Sequence, residues 1–179
     1  MSSNYDNIPQ ELKDLQQWVC FNAVAGKKIP YIPGSSNMAS SNRPRDWRSY
    51  RAALKDVEEG RRQHIGFCFS SSDPFVFIDL DDPEDPDQIR VFKRLRSYSQ
   101  TSVSGEGRHI ICKGSFKGKG RHPAFPAAGL FQTNRFCLMT GDVIKKRTTI
   151  NAVADEDLQS IHAWLSKGKN DAPEMELTE

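Results

Sequence analysis

The chain has 179 residues, of which 37% are hydrophobic and 27% charged, and its formal net charge is +2. These values are typical of a soluble globular protein, and the charge is too balanced to identify a polyanion partner by itself. No apolar run approaches the roughly 20 residues of a membrane helix, and the N-terminus lacks a basic-then-apolar signal pattern, so we expect a cytoplasmic protein. The four cysteines are far apart in apolar stretches, which predicts reduced core residues and neither a metal site nor disulfides.

The first third of the chain mixes helical and extended patterns. IPQELKDLQQW predicts a short helix with Pro9 in its first turn, and WVCFNAV predicts a strand. A proline-containing extended segment and a polar loop follow. DWRSYRAALKDVEEG then predicts a helix with Asp46 as its N-cap and Gly60 at its end.

The rest of the chain is richer in strands. HIGFCFS and FVFIDLD predict two strands joined by the turn SSDP, and DPDQIRVFKRLRSYS predicts an amphipathic helix. YSQTSVS and RHIICKG predict strands around the loop SGEGR, GLFQT and RFCLMTGDV predict a hairpin, and DEDLQSIHAWLS predicts a terminal helix near Asp155. This mixture without strict alternation indicates an α+β fold with a largely antiparallel sheet. We expect residues 1–166 to form the folded domain and residues 167–179 a disordered tail.

Two carboxylates stand at the end of the strand FVFIDLD. Asp79 and Asp81 are two residues apart, so their side chains project from the same face of a strand. Like charges this close repel unless a cation lies between them, and Mg²⁺ or Mn²⁺ binds carboxylates and phosphates. The alternative is a solvated strand end, with Asp82 and Pro83 forming the next turn. An acidic pair alone does not decide between the two.

A glycine-rich turn precedes a strand that begins with a histidine. In SVSGEGRHII, Gly105 and Gly107 allow a tight turn whose backbone N–H groups can face an anion. Ser104 contributes a hydroxyl and Arg108 a fixed charge, and His109 lies at the rim of the sheet. The alternative is an ordinary glycine hairpin with an edge histidine.

Basic residues are concentrated after this strand. The connection from residue 114 to 128 is rich in Lys, Gly and Pro, and such a segment near a metal site suits a phosphate backbone. Arg135 begins a later strand in NRFCLMTGDV. The candidate nucleic-acid contacts are Lys28, Lys113, Lys117, Lys119 and Arg121.

Taken together, these motifs resemble the archaeo-eukaryotic primase superfamily, in particular its bifunctional primase–polymerase branch from phages and plasmids. The resemblance rests on FVFIDLD, SVSGEGRHII and RFCLMTGDV in this order and spacing, and on QWVCF, KKIPYIP and ASSNRPRDW before them. It covers roughly residues 16 to 145. It implies a small N-terminal α/β unit followed by a catalytic unit similar to an RNA-recognition motif.

The resemblance also implies roles for single residues. Asp79 and Asp81 match the metal-binding acids, with Mg²⁺ or Mn²⁺ as the cofactor. His109 matches the histidine that contacts the phosphates of the incoming nucleotide, with the turn from Ser104 to Arg108 around it and Arg135 as a further phosphate contact. The implied partners are a single-stranded DNA template and nucleoside triphosphates. We expect either a separate replicative helicase or a longer protein of which this chain is a fragment.

The third acid of the family's pattern is missing. Counting back six residues from Arg135 gives Gly129, and no acid occurs between Glu106 and Asp142. Two hypotheses follow. The chain is a metal-dependent DNA primase or DNA polymerase of phage or plasmid replication, or it is a weakly active or inactive nucleic-acid-binding initiator or regulator. A nuclease would also bind a divalent metal ion through such carboxylates. A histidine after a glycine-rich turn, however, suits triphosphate binding better than phosphodiester cleavage.

Overall fold

The computed structural model describes residues 4–118 and 127–167, which form a mixed α+β structure with antiparallel sheets. The described residues form two compact units. The first contains residues 4–70 and 133–142, and the second contains residues 71–118, 127–132 and 143–167. The helices are α1 (Gln10–Lys13), α2 (Tyr50–Glu58), α3 (Pro86–Arg94) and α4 (Asp155–Lys167). The strands are β1 (Trp18–Val24), β2 (Lys27–Tyr31), β3 (His64–Phe69), β4 (Phe75–Leu80), β5 (Tyr98–Thr101), β6 (Arg108–Lys113), β7 (Ala128–Phe131) and β8 (Arg135–Met139).

The first unit is built on an antiparallel sheet with the strand order β2-β1-β3-β8. Its core is aromatic: the Trp18 ring meets Tyr50 and Phe67 edge-on, with ring centroids 5.0 Å and 5.3 Å away. Gly66 in β3 is required by packing, since a Cβ there would lie 2.5 Å from a ring carbon of Phe21. This unit contains Lys28 and Arg135.

The second unit is built on an antiparallel sheet with the strand order β5-β6-β4-β7. Strand β6 lies between β4 and β5, which are connected through α3, so these elements form a split β-α-β arrangement. Alternate residues of β4, namely Val76, Ile78 and Leu80, share a buried apolar cluster with residues of α3 and α4. The other residues of β4, including Asp79, therefore face the opposite side of the sheet.

Two sequence predictions about local structure are wrong. Asp46 does not cap α2, because it lies in a short 3-10 turn, Pro44–Asp46, where its carboxylate accepts from the Ser40 N–H at 2.9 Å. Ser49 is the N-cap, and its hydroxyl accepts from the Ala52 N–H. The helix predicted over DPDQIRVFKRLRSYS ends at Arg94, because the chain enters β5 four residues later.

The predicted hairpin of GLFQT and RFCLMTGDV is also wrong. Strand β7 pairs with β4 in the second unit, whereas β8 pairs with β3 in the first. The short connection around Asn134 therefore carries the chain from one sheet to another. HIGFCFS and FVFIDLD are strands as predicted, but they too belong to different sheets.

The cysteines are core residues, as predicted. All four are buried, and none forms a disulfide in the described chain. Burial raises the pKa of the Cys112 thiol to about 12. No helix within residues 4–118 and 127–167 has the length and apolarity to span a bilayer. The predicted tail lies outside the described residues, apart from Lys167, where α4 ends.

Candidate active site

The acidic pair lies at the end of β4, the strand between β6 and β7. Asp79 is 7% exposed, whereas Asp81, just beyond the strand, is exposed. The Asp81 N–H donates to the Ala127 carbonyl at 2.8 Å, which extends the backbone pairing past the last residue of β4. One carboxylate is thus sheltered by the sheet, and its neighbour two residues later is open to solvent.

Four residues form one cross-strand row through the middle of this sheet. Asp79 is paired in register with His109 of β6 on one side and with Gly129 of β7 on the other. His109 is paired in turn with Gln100 of β5. Residues directly opposite each other have Cβ atoms about 4.5–5.5 Å apart. The acid motif and the histidine motif, thirty positions apart in sequence, are therefore immediate neighbours.

Side-chain contacts connect this row. The His109 Nε2 atom lies 3.5 Å from Asp79 Oδ1, which is longer than a well-formed hydrogen bond. On the other side of the ring, His109 Nδ1 is 3.2 Å from Gln100 Nε2. The ring of Phe77 meets the imidazole edge-on, with centroids 5.2 Å apart. His109 is thus held between an amide, a carboxylate and an aromatic ring.

Tyr98 determines which way the Gln100 amide points. Its hydroxyl donates to Gln100 Oε1 at 2.9 Å, so the Gln100 NH₂ group faces the imidazole. An amide NH₂ only donates, so we assign Nδ1 of His109 as the acceptor and place the ring proton on Nε2. The atom of His109 that faces Asp79 is therefore a hydrogen-bond donor.

The glycine turn is held by its own hydrogen bonds. The Ser102 hydroxyl accepts from the Gly107 N–H at 3.0 Å and lies 2.9 Å from the Ser104 hydroxyl. The Gly105 N–H donates to the Ser102 carbonyl. Both glycine N–H groups are therefore used inside the loop, which does not support the expectation that they face an anion. The loop's glycines serve its shape: Gly105 has a φ of +86°, a conformation that L residues rarely adopt.

Gly107 brings the turn against the acids. A Cβ at this position would lie 3.2 Å from Asp81 Oδ1 and 3.3 Å from the Leu80 carbonyl oxygen. Both distances are tighter than ordinary carbon contacts, and the Ser102 hydroxyl oxygen would be nearer still at 3.1 Å, so a side chain there would require its neighbours to shift by a few tenths of an ångström. Gly107 thus lets the turn lie close to the Asp81 carboxylate.

Arg108 does not share the face of His109. It is paired with Leu80, and its guanidinium lies over the ring of Phe92 in α3, 5.0 Å from the centroid. Its Nη2 atom also donates to the Pro83 carbonyl at 3.4 Å. The Arg108 side chain therefore lies on the opposite face of β6 from His109. To contact a phosphate bound near Asp79, it would have to extend around the end of the strand.

The other predicted contacts are dispersed over the chain. Lys28 and Arg135 belong to the first unit, whereas Asp79 and His109 belong to the second. Lys113 ends β6, and the Lys117 backbone bonds the Gln159 side chain of α4. Lys119 and Arg121 lie outside the described residues.

Comparison with known proteins adds an independent observation. No family model matches the chain. It is 31% identical, over 145 residues and 75% of its length, to a protein of Nitratiruptor phage NrS-1 named DNA primase-polymerase. The chain is a relative of this phage primase–polymerase. It spans about a fifth of that protein's length, since the match covers 20% of it.

The strand register shows where Gly129 lies relative to Asp79. Motif counting puts the third acid of the pattern at this position, and the structure makes Gly129 the direct partner of Asp79 on β7. A carboxylate there would face the same side as Asp79 and lie within reach of a shared cation. Gly129 therefore stands at the β7 end of the row, at the position where the resemblance implies a third carboxylate.

The donors that remain fit one cation. Within residues 4–118 and 127–167, no group of three or more His, Cys, Asp or Glu side chains is arranged to hold a metal ion. Mg²⁺ is commonly held by one or two carboxylates together with substrate phosphates and water. Asp79 and Asp81 could contribute two carboxylates to such a site, which is too few to hold a pair of ions with protein ligands alone.

Sequence reasoning missed Gln100 and Tyr98. Both are fully buried on the histidine side of the sheet. The available signal was a glutamine two residues after a tyrosine in YSQT, which places both side chains on one face of a strand. Only the register between β5 and β6 places that face beside His109.

The tautomer of His109 provides a first prediction. In the parent protein, ¹⁵N NMR of the His109 ring at neutral pH is expected to find the proton on Nε2. Gln100→Leu removes the donor to Nδ1 and should leave a mixture of both tautomers. Tyr98→Phe, which removes only the hydroxyl that orients the amide, should shift the population less. A parent protein with the proton on Nδ1 would contradict the assignment.

Proposed function

We propose that the chain is a divalent-metal-dependent nucleotidyltransferase that adds nucleotides to a DNA-templated strand, as a primase, a DNA polymerase or both. The pairing of Asp79 with His109 across β4 and β6 carries this proposal. It places a carboxylate that could bind a metal ion beside a histidine that could donate to a phosphate, in a chain related to a phage primase–polymerase. The split β-α-β arrangement of the second unit supports a primase-type catalytic fold.

Asp79 and Asp81 would hold Mg²⁺ or Mn²⁺ together with the triphosphate of the incoming nucleotide. The bound cation supplies Lewis acidity, which lowers the pKa of the attacking 3′-hydroxyl and offsets the charge that develops on the α-phosphate. His109 donates from Nε2 to a phosphate oxygen, and Gln100 keeps that nitrogen protonated. The sheltered position of Asp79 strengthens these interactions, because water is excluded around it.

The template would be single-stranded DNA and the substrates nucleoside triphosphates. Arg135 and Lys28 remain the proposed phosphate contacts of the first unit, and Lys113 and Lys117 those of the second. A replicative helicase, either a separate protein or part of a longer protein that contains this chain, would supply the single-stranded template. Phage or plasmid replication is the corresponding setting.

A second candidate function rests on Gly129. With this residue beside Asp79, the row lacks one carboxylate of the primase–polymerase pattern. A nucleic-acid-binding initiator or regulator would keep the sheet and the histidine without needing turnover. The intact pair of Asp79 and His109 favours the enzyme.

Primer extension separates the two functions. A labelled primer annealed to a longer template is incubated with the protein and deoxynucleotides, in Mn²⁺ and in Mg²⁺, and unprimed template with ribonucleotides tests primer synthesis. The enzyme extends according to the template sequence, and does so better in Mn²⁺, which tolerates incomplete ligand sets. A protein that binds the template but adds no nucleotide in either metal is the binding module.

Gly129→Glu tests the missing donor directly. If the site lacks one carboxylate, the variant should bind the cation more tightly and increase extension in Mg²⁺ severalfold towards its level in Mn²⁺. Gly129→Ala is the matched control, because it adds a side chain to β7 without a carboxylate. It should leave the metal preference unchanged.

Two results would count against this account of Gly129. Full activity of the parent protein in Mg²⁺ would mean that another acid, such as Asp82, Glu106 or Asp142, completes the site. No gain from Gly129→Glu in a folded, DNA-binding protein would favour the binding module.

A further inference from the structure

A wide-open surface cavity of about 470 Å³ lies against α3 in the second unit. The described residues that line it are all cationic: Arg90, Lys93, Arg94 and Arg96. They fall within seven positions of the sequence, in IRVFKRLRS, and continue just past the end of the helix. Positive charges this close repel one another, and solvent, nearby acids or a bound anion can offset that repulsion.

Nearby acids neutralise only one of the four. Arg94 forms an ion pair with Asp157 of α4, with 3.0 Å between Nη2 and Oδ2. Arg90, Lys93 and Arg96 are exposed and make no ion pair with a carboxylate of the described chain. The same positive field reaches Arg147, whose pKa is lowered first by burial and then by Arg96. Three exposed positive charges around the cavity thus have no carboxylate partner within the described chain.

Helix stability accounts for part of this arrangement. Cations in the last turn of a helix interact favourably with its dipole, and Lys93 and Arg94 lie there. Arg90 lies a turn earlier, and Arg96 lies beyond the helix end, so the dipole does not explain them. Their placement around the same cavity is what a multivalent anion would use.

The lining indicates which anion. Arginine guanidinium groups match phosphate oxygens in a two-pronged geometry, and lysine adds a point charge. Pockets for a nucleoside usually offer apolar or aromatic walls, whereas the described walls here are cationic. The chemistry therefore favours consecutive phosphates of a nucleic-acid backbone over a base or a single nucleotide.

We propose that this cavity is a second contact site for the phosphate backbone of DNA, in addition to the candidate active site. The inference rests on the proposed function for the choice of DNA as the nucleic acid. Helix α3 packs on the face of the sheet that carries Val76, Ile78 and Leu80, opposite to the row of Asp79 and His109. A DNA strand bound in the cavity would have to pass around the edge of the sheet to reach the candidate active site. The cavity therefore fixes the path of the DNA and does not bind the incoming nucleotide.

Salt-dependent DNA binding tests this site without requiring catalysis. Fluorescence anisotropy with labelled single-stranded DNA is measured over a range of salt concentrations for the parent and for Arg90→Gln/Lys93→Gln/Arg96→Gln. The triple variant should bind the DNA with an affinity lower than the parent's by a factor of about ten or more at low salt. Its slope of log K against log salt should flatten by up to about 2, at roughly 0.7 per lost phosphate contact on single-stranded DNA.

Matched controls separate this site from general charge effects. Arg45→Gln/Arg51→Gln/Lys55→Gln removes three exposed cations of the first unit and should change affinity and slope little. A peptide nucleic acid of the same sequence, which has no phosphates, should bind weakly and equally to the parent and to the α3 triple variant. Circular dichroism verifies that each variant is folded.

The two proposals can fail separately. If the α3 triple variant binds DNA with the parent's affinity and salt slope, the cavity is not a backbone site, whatever the extension assay finds. If that variant also loses binding to polyglutamate, the cavity is an acidic-peptide site instead. If extension is absent but the α3 triple variant has lost DNA binding, the cavity proposal stands and the catalytic one falls.

Discussion

Replacing Asp79 and Asp81 together by asparagine is expected to abolish nucleotide addition. Asp79 is the strand partner of His109 and Asp81 follows just beyond β4, and asparagine keeps their size while removing both negative charges. A bound cation contributes several kcal/mol to transition-state stabilisation, which corresponds to about a thousandfold or more in rate. The measurement is primer extension in Mn²⁺, with thermal unfolding as the check on the fold.

A control with the same change of charge exists in the following turn. Asp82→Asn/Glu84→Gln also removes two acids. The turn should persist, because the Asp82 carboxylate accepts from the Glu84 N–H and the amide oxygen of the replacement side chain can accept from the same group. This control should retain extension in Mn²⁺, and a loss would mean that Asp82 is a further acid of the site. If the Asp79 and Asp81 double variant extends primers as well as the parent, the acidic pair is an ordinary strand end and the assignment is wrong.

His109→Ala is expected to weaken nucleotide binding more than it slows chemistry. A hydrogen bond to a charged group contributes about 1.5–3 kcal/mol, so the apparent affinity for the nucleotide should fall roughly ten- to a hundredfold. The maximal rate at saturating nucleotide should fall less. Steady-state extension at varied nucleotide concentration separates the two quantities.

His64→Ala is the matched histidine control. His64 begins β3 in the first unit, and partial burial together with Lys28 lowers its pKa, so it is a histidine with its own electrostatic setting but no proposed role. This variant should bind nucleotide as the parent does. An unchanged nucleotide affinity in His109→Ala would return His109 to an edge histidine that merely packs on Phe77.

The sequence was sufficient to predict where most of the strands and helices lie. Alternation in FVFIDLD predicted that Asp79 and Asp81 share a face, because a strand has a period of two whatever lies beside it. The strands from Trp18 to Val24 and from Arg108 to Lys113 were predictable for the same reason. These are local properties of the chain.

Strand pairing was not predictable from local pattern. The short polar connection between β7 and β8 suggested a hairpin, yet each strand pairs with a partner far away in sequence. The N-cap prediction for α2 was wrong for a similar reason. Asp46 and Ser49 are both good capping residues, and Asp46 is taken up by the 3-10 turn before the helix. Burial of Asp46 is a tertiary effect.

The row across the second sheet combines both kinds of information. Motif spacing identified Asp79, His109 and Gly129 separately, and the register places them side by side. Gln100 carries no motif, so only its position opposite His109 reveals it. Arg108 illustrates the reverse, since adjacency to His109 in sequence puts it on the other face of the strand.

A crystal structure with Mn²⁺ and a non-hydrolysable deoxynucleoside triphosphate tests the central claim most directly. The account predicts an anomalous manganese peak bound by Asp79 and Asp81, with the triphosphate completing its ligands and a phosphate oxygen within hydrogen-bond distance of His109 Nε2. Manganese and nucleotide bound elsewhere, or a bound nucleotide with no metal between these two carboxylates, would contradict it.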